Sequence, residues 1–247
     1  MSEYLFWTED GRPVPAVTAE QMREVDRIAM EDFGLGILQM MENAGRNLAQ
    51  NVIDMLGATK AEVAVLAGAG GNGGGGLCCA RHLHNRGFRV WVVLDRGEAA
   101  LRGAASNQLQ ILQAAGLQPA GPTQTEAAIR RAGLVVDALI GYSLRGAPRG
   151  KVADLIRLCN QYAARVLSLD VPSGLNATTG EAPGVVVRPE RTLTLALPKT
   201  GLQAVPGDLY LADIGIPPEV YLPLGLSFEP FFGDRYWTRL QKGSYPD

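Results

Sequence analysis

The sequence predicts an α/β three-layer sandwich, a mostly parallel sheet with helices on both faces and two helices ahead of it. Two observations carry this. From residue 62 onward, short apolar runs alternate with helix-length segments, which is the rhythm of βαβ units. And 47% of the 247 residues are hydrophobic against 19% charged, enough to fill a sizeable core and too apolar for a disordered chain. The length suits one α/β domain over 1–247, with its core at about 18–217 and a tail at 218–247.

Taken in order, residues 1–17 read as an irregular arm. Thr18 opens a helix, with Gln21 placed to complete a capping box. Met22, Val25, Ile28 and Ala29 share one face of it, and Gly34 ends it. A second helix spans 37–56, with Met41, Ala44, Leu48 and Val52 as its buried stripe and Gly57 as its stop. Strands follow at 62–67, 89–94, 134–140, 165–169, 191–197 and 208–212, and helices at 75–86, 103–115, 124–132 and 148–163. The last thirty residues, rich in proline and aromatics, read as a surface-wrapping tail. There is no internal repeat and no interdomain linker.

Composition excludes several function classes. A net charge of −2 lacks the basic stripe of a nucleic-acid binder. No apolar run approaches the roughly 18 residues of a membrane span. The acidic start, MSEYLFWTED, is not the basic n-region of a signal peptide. Three cysteines, two of them adjacent, make no disulfide framework and suit a reducing compartment, so a cytoplasmic protein is expected.

Four features point to chemistry. Gly68-Ala-Gly70-Gly71-Asn72-Gly73-Gly74-Gly75-Gly76 follows a strand and opens a helix, where free N–H groups favour an anion such as phosphate. Gly68, Gly70 and Gly73 fit G-x-G-x-x-G, with Asp95 ending the next strand, and no lysine follows to make a Walker loop. Asp95, Asp137 and Asp170 all lie near the C-terminal ends of strands, where open α/β sheets bind ligands. Asp137, in Val-Val-Asp-Ala-Leu-Ile, requires a cation or several hydrogen-bond donors beside it. In Asp170-Val-Pro172-Ser173-Gly174 the chain leaves its strand abruptly and presents Asp170 and the Ser173 hydroxyl. The glycine-bounded loop 141–149 carries Arg145 and Arg149, and Lys199 follows another strand as a charge partner for the same crevice. His82 and His84 read as surface or structural, Cys78 and Cys79 as packing residues.

Six segments in order resemble one family, the YjeF N-terminal NAD(P)H-hydrate epimerases. They are Met40-Met-Glu-Asn-Ala-Gly45, the glycine loop, Val136-Asp137-Ala-Leu139 with the loop after it, Asp170-Val-Pro-Ser173-Gly174, Leu195-Ala-Leu-Pro-Lys199-Thr-Gly201, and Asp213-Ile-Gly-Ile-Pro217. The resemblance implies a Rossmann-like fold, a homodimer, and interconversion of the R and S forms of NADH or NADPH hydrated at C6 of the nicotinamide ring. It implies a separate dehydratase as pathway partner, acting on one epimer. It implies one potassium ion per subunit, held by Asn72, Asp137 and Ser173. Substrate contacts would fall on Gly71, Asn72, Gly73, Gly74 and Gly75, on Gly141, Tyr142, Ser143, Leu144, Arg145, Gly146 and Ala147, and on Asp170. Asp170 would act as acid and then base, with Lys199 tuning the field. The chain departs from the family's G-P-G-N-N-G-G-D-G at Gly71 and Gly75, which replace an Asn and an Asp. Two other readings stay open: a nucleotide-binding protein without turnover, favoured by Gly75, and an NAD-dependent dehydrogenase built on G-x-G-x-x-G and Asp95.

Overall fold

The computed structural model describes residues 6–243. In chain order its elements are β1 (Phe6–Thr8), β2 (Pro13–Val14), α1 (Ala19–Arg27), α2 (Ile37–Leu56), β3 (Val63–Ala67), α3 (Gly71–His84), β4 (Val90–Leu94), α4 (Gly103–Ala114), α5 (Pro122–Arg131), β5 (Leu134–Ala138), α6 (Lys151–Tyr162), β6 (Val166–Leu169), β7 (Arg191–Leu195), β8 (Asp208–Ala212) and β9 (Trp237–Lys242). All nine strands join one sheet in the order β2-β1-β9-β8-β7-β6-β5-β3-β4, parallel from β4 to β8 and antiparallel beyond.

Side-chain alternation makes the layers. Val63, Val65 and Ala67 of β3 pack with Leu48 and Val52 of α2, Leu77 of α3 and Leu109 of α4. Ala64 and Leu66 point the other way, onto Ile129 of α5 and Ile156 of α6. The expected sandwich with helices on both faces is therefore present.

The predicted arm and tail are corrected. Phe6–Thr8 pairs with Trp237–Lys242, and β9 pairs with β8, so both ends of the described chain extend the sheet. Two predicted strands stop early, at Ala138 and Leu195 instead of 140 and 197. After β7 the chain turns at Ala196, whose φ of +63° is incompatible with a strand. At the first helix the Thr18–Gln21 capping box is present. A π turn, Ile28–Asp32, then carries the chain to Gly34.

The glycine run is also corrected: the helix begins at Gly71, not near 75. Low helix propensity argues for a loop, but close packing decides otherwise. A Cβ on Gly73 would lie 1.7 Å from the Gly68 carbonyl oxygen, one on Gly74 2.5 Å from Met41, and one on Gly76 2.6 Å from Ala138. Glycine there lets α3 press onto the turn below it, onto α2 and onto the sheet. Replacing Gly73 by Ala puts a methyl against backbone that cannot step aside. A loss of ~3 kcal/mol or more is expected, read as a lower urea midpoint.

The strand order reverses beside β3: β4 lies on one side of it and β5 on the other. Crevices outside the C-terminal strand ends at such reversals are where α/β sheets bind ligands.

Candidate active site

A cleft of about 280 Å³ opens at that reversal. Asn72 and Gly71 reach it from the start of α3, Gly141, Tyr142 and Ser143 from the loop after β5, Leu169 and Asp170 from the end of β6, and Leu195 and Lys199 from the end of β7. Helices α1 and α2 close it with Met22, Asp26, Ile37, Met40 and Met41. The walls are mainly apolar and the polar groups few, as in a small-molecule site.

Asp170 is held in an unusual way. Its φ is +67°, and the Val171 N–H bonds back to the Leu169 carbonyl at 2.9 Å, closing a tight three-residue turn. Such backbone costs about 1–3 kcal/mol and clusters at functional sites. The turn brings the carboxylate, 3% exposed, into the cleft. Oδ1 accepts from the Lys199 ammonium at 2.5 Å and Oδ2 from the Tyr142 backbone N–H at 2.9 Å. Lys199 is 1% exposed and also donates to the Leu195 carbonyl at 2.9 Å. Its backbone is fixed by Val17, which bonds to the residues on either side of it. The lysine is thus locked, with its charge committed to Asp170.

Asp137 is fully buried. Burial pushes its pKa up, and hydrogen bonds from Ser173 and Ser168 pull it back. Four donors surround it: the Ser173 hydroxyl (2.5 Å) and Leu139 N–H (3.3 Å) on Oδ1, the Ser168 hydroxyl (2.8 Å) and Ser173 N–H (2.9 Å) on Oδ2. The donors that the sequence requires are therefore present. Ser173 Oγ also accepts from the Ile140 N–H at 2.8 Å and lies 3.2 Å from the Ile140 carbonyl, a second acceptor for its proton. Asn72 stands near: a Cβ on Gly141 would lie 3.2 Å from Asn72 Oδ1 and 2.9 Å from Asp170 Oδ2. Its Nδ2 is buried with no hydrogen-bond partner among the described residues.

Of the other expected contacts, Gly75 lines the cleft, while Gly73 and Gly74 are buried in helix packing and are not part of its lining. Leu144, Arg145, Gly146 and Ala147 lie beyond the cleft on the outer loop, with Arg145 and Gly146 exposed. Asp95 does not line the cleft, and its Oδ2 is paired with the neighbouring Arg96 at 2.9 Å.

Asp26 is the titratable cleft residue not singled out above. Its signal was available: it sits four residues after Met22 and beside Val25, a carboxylate at the margin of an apolar helix face. Glu42, Cys78 and His82 also cluster, between α2 and α3 and away from the cleft. The Arg81 guanidinium already occupies that cluster, paired with Glu42 and 3.3 Å from the Cys78 sulfur. Burial first, and then the neighbouring Glu42 charge, push the thiol up to about 12. The group ties two helices together, and His82, 2.8 Å from Glu42, belongs to that tie.

A family model described as YjeF-related protein N-terminus matches residues 37–201, two thirds of the chain. The chain belongs to that family. It is 48% identical to the NAD(P)H-hydrate epimerase of Dehalogenimonas lykanthroporepellens, over 95% of this chain and 96% of that one. It is 34% identical to the NAD(P)H-hydrate epimerase of Rhodopirellula baltica, over 84% and 87%. It is 38% identical to the bifunctional NAD(P)H-hydrate repair enzyme Nnr of Hyperthermus butylicus, spanning 42% of that longer protein. The crystal structure of yeast ynu0 shares the fold, with a TM-score of 0.80 at 22% identity, covering 92% of this chain and all of that one. Asn72, Asp137, Asp170, Ser173 and Lys199 fall inside the YjeF-related match, while Asp26 and the first two strands precede it.

Proposed function

We infer that the chain is an NAD(P)H-hydrate epimerase, interconverting the R and S forms of NADH or NADPH hydrated at C6. The observation that carries this, beside the relatives' activity, is the strained Asp170 carboxylate presented with Lys199 in an otherwise apolar cleft. Asp170 exchanges the proton of the C6 hydroxyl. The ring nitrogen's lone pair expels that hydroxyl as water and leaves a planar cation, to which water returns. Met22, Met40, Met41 and Leu195 exclude bulk solvent from the ring. The cleft volume suits the hydrated ring and its ribose. The diphosphate then runs outward past the exposed Gly70 and Gly71, where the first N–H groups of α3 meet negative charge.

The donor set at Asp137 suits a hard monovalent cation such as potassium. It consists of oxygens, and the Ser173 proton has an alternative acceptor in Ile140. Asn72, Asp137 and Ser173 would hold the ion, and its charge would stabilise the buried carboxylate and keep three loops in register. We also infer a single-domain homodimer in the cytoplasm, with a separate dehydratase consuming one epimer. In support, all described strands share one sheet, Phe33, Ile37 and Leu38 are exposed at 47%, 44% and 45%, the three cysteines are free, and no helix among the described residues is long and apolar enough to cross a membrane.

The test is a coupled assay. R-hydrated NADH is mixed with an S-specific dehydratase and its nucleotide, and NADH recovery is followed with and without this protein. Recovery is expected to become fast only when the protein is present. Binding of the hydrate without acceleration over spontaneous epimerisation would instead identify a binding protein, with Gly75 in place of the family's acid as its mark.

A further inference from the structure

Asp26 stands in the cleft with a role that the mechanism above leaves open. It is half-buried, and its Oδ2 accepts the Tyr142 hydroxyl at 2.5 Å. Among the described residues no group bonds to its Oδ1, so one carboxyl oxygen is held and the other is free. Tyr142 also donates its backbone N–H to Asp170 Oδ2. The backbone nitrogen and the hydroxyl are the two ends of a rigid residue, so Tyr142 sets two carboxylates a full tyrosine apart. Carboxyls that work on opposite sides of one reacting bond stand far enough apart to admit a water.

The two carboxylates differ in surroundings. Asp170 pairs directly with the Lys199 ammonium. Asp26 has no ion pair among the described residues. Burial raises its pKa, against the Tyr142 hydrogen bond and the Lys199 charge, with the Asp170 charge adding to the rise. Arg23 and Tyr221 are the other titratable groups close to this pair. Asp26 is thus the carboxyl disposed to give a proton, and Asp170 is the one already paired with a cation.

We propose that Asp26 is a second acid–base residue of this site, serving the face of the hydrated ring that Asp170 does not reach. The proposal rests on the epimerase reading. Inversion at C6 needs the hydroxyl to leave from one face and water to add to the other, and a carboxylate locked by Lys199 and a backbone N–H reaches one face only. In one direction Asp26 gives its Oδ1 proton to the C6 hydroxyl. The C6–O bond breaks, water leaves, and the N1 lone pair closes the N1–C6 double bond. A second water adds its oxygen to C6 from the opposite face, the π electrons return to N1, and Asp170 takes the released proton. Composition is unchanged, one proton has moved from Asp26 to Asp170, and proton exchange with water in the emptied cleft resets both carboxyls before the next turnover.

The test uses each purified epimer of hydrated NADH in water enriched in oxygen-18, with the wild type, Asp26→Asn, Asp170→Asn, Tyr142→Phe, or no protein. The epimers are separated and weighed by mass spectrometry, and folding is checked by thermal melting. Wild-type protein accelerates inversion; if it does not, the epimerase reading falls and this proposal with it. Given wild-type turnover, Asp26→Asn is expected to lose about a hundredfold or more of inversion. It should still wash oxygen-18 into one epimer with retention, because Asp170 alone serves its own face, and Asp170→Asn should label the other epimer. A merely structural Asp26 would not give this split. Inversion by Asp26→Asn within threefold of wild type, or equal loss of labelling in both epimers, overturns the proposal. Tyr142→Phe keeps both carboxylates and should lose about tenfold, the worth of one hydrogen bond to a charged partner. If Asp26→Asn does not fold, unchanged inversion by Tyr142→Phe overturns the proposal instead.

Discussion

Asp170→Asn lowers the epimerisation rate by about 10²–10⁴-fold, the usual worth of a positioned acid or base, while the hydrated cofactor still binds. Asparagine is the informative replacement because it tolerates the left-handed backbone that residue 170 adopts at φ +67°. The amide oxygen keeps one of the two hydrogen bonds, from Lys199 or from the Tyr142 N–H, and the proton-accepting power is gone. Ligand binding is measured by calorimetry and turnover by dehydratase-coupled NADH recovery. A rate within tenfold of wild type would show that the chemistry is elsewhere.

Lys199→Met costs ~3–5 kcal/mol of folding stability at neutral pH, in addition to activity. The methionine fills much of the same space, so packing is not the cause. The cause is the Asp170 carboxylate, which stays 3% exposed with one N–H donor and no counter-charge. The double variant Lys199→Met with Asp170→Asn is expected to recover most of the loss, because neither charge remains to be solvated. Urea denaturation of the four proteins closes the cycle. A double variant no better than Lys199→Met would mean that the lysine acts through its stem and not its charge.

The central strands were legible because parallel strands covered on both faces are apolar throughout, as Val63–Ala67 shows. The outer strands were not. Phe6–Thr8 has three residues, and Trp237–Lys242 buries only Leu240 among polar neighbours. The pairing that joins the two spans nearly the whole chain, and no local window contains both. Position at strand ends found Asp170, Lys199 and the loop that starts at Gly141, and the family resemblance added Asn72, Tyr142 and Ser143; all of these lie in the cleft. It also swept in Leu144 to Ala147, which continue the same loop outward, and Gly73 and Gly74, whose lack of side chains serves helix packing. Asp26 escaped because it comes from a helix outside the βαβ rhythm and enters the cleft only through the packing of α1.

The Phe6–Lys242 pairing also sets a timetable for biosynthesis. The first described strand leaves the ribosome long before its partner exists. Through most of translation Phe6, which ends wholly buried, has only the two-residue β2 beside it. Closing a loop of that length is slow but adds little entropy cost beyond that of a moderate one. The parallel centre from β3 to β8 has all its strands before β9 is made, so it can assemble first and the ends dock last. Until then the outer edge of β8 is an open template for wrong pairing, at the side of the sheet opposite β4 and not at the cleft.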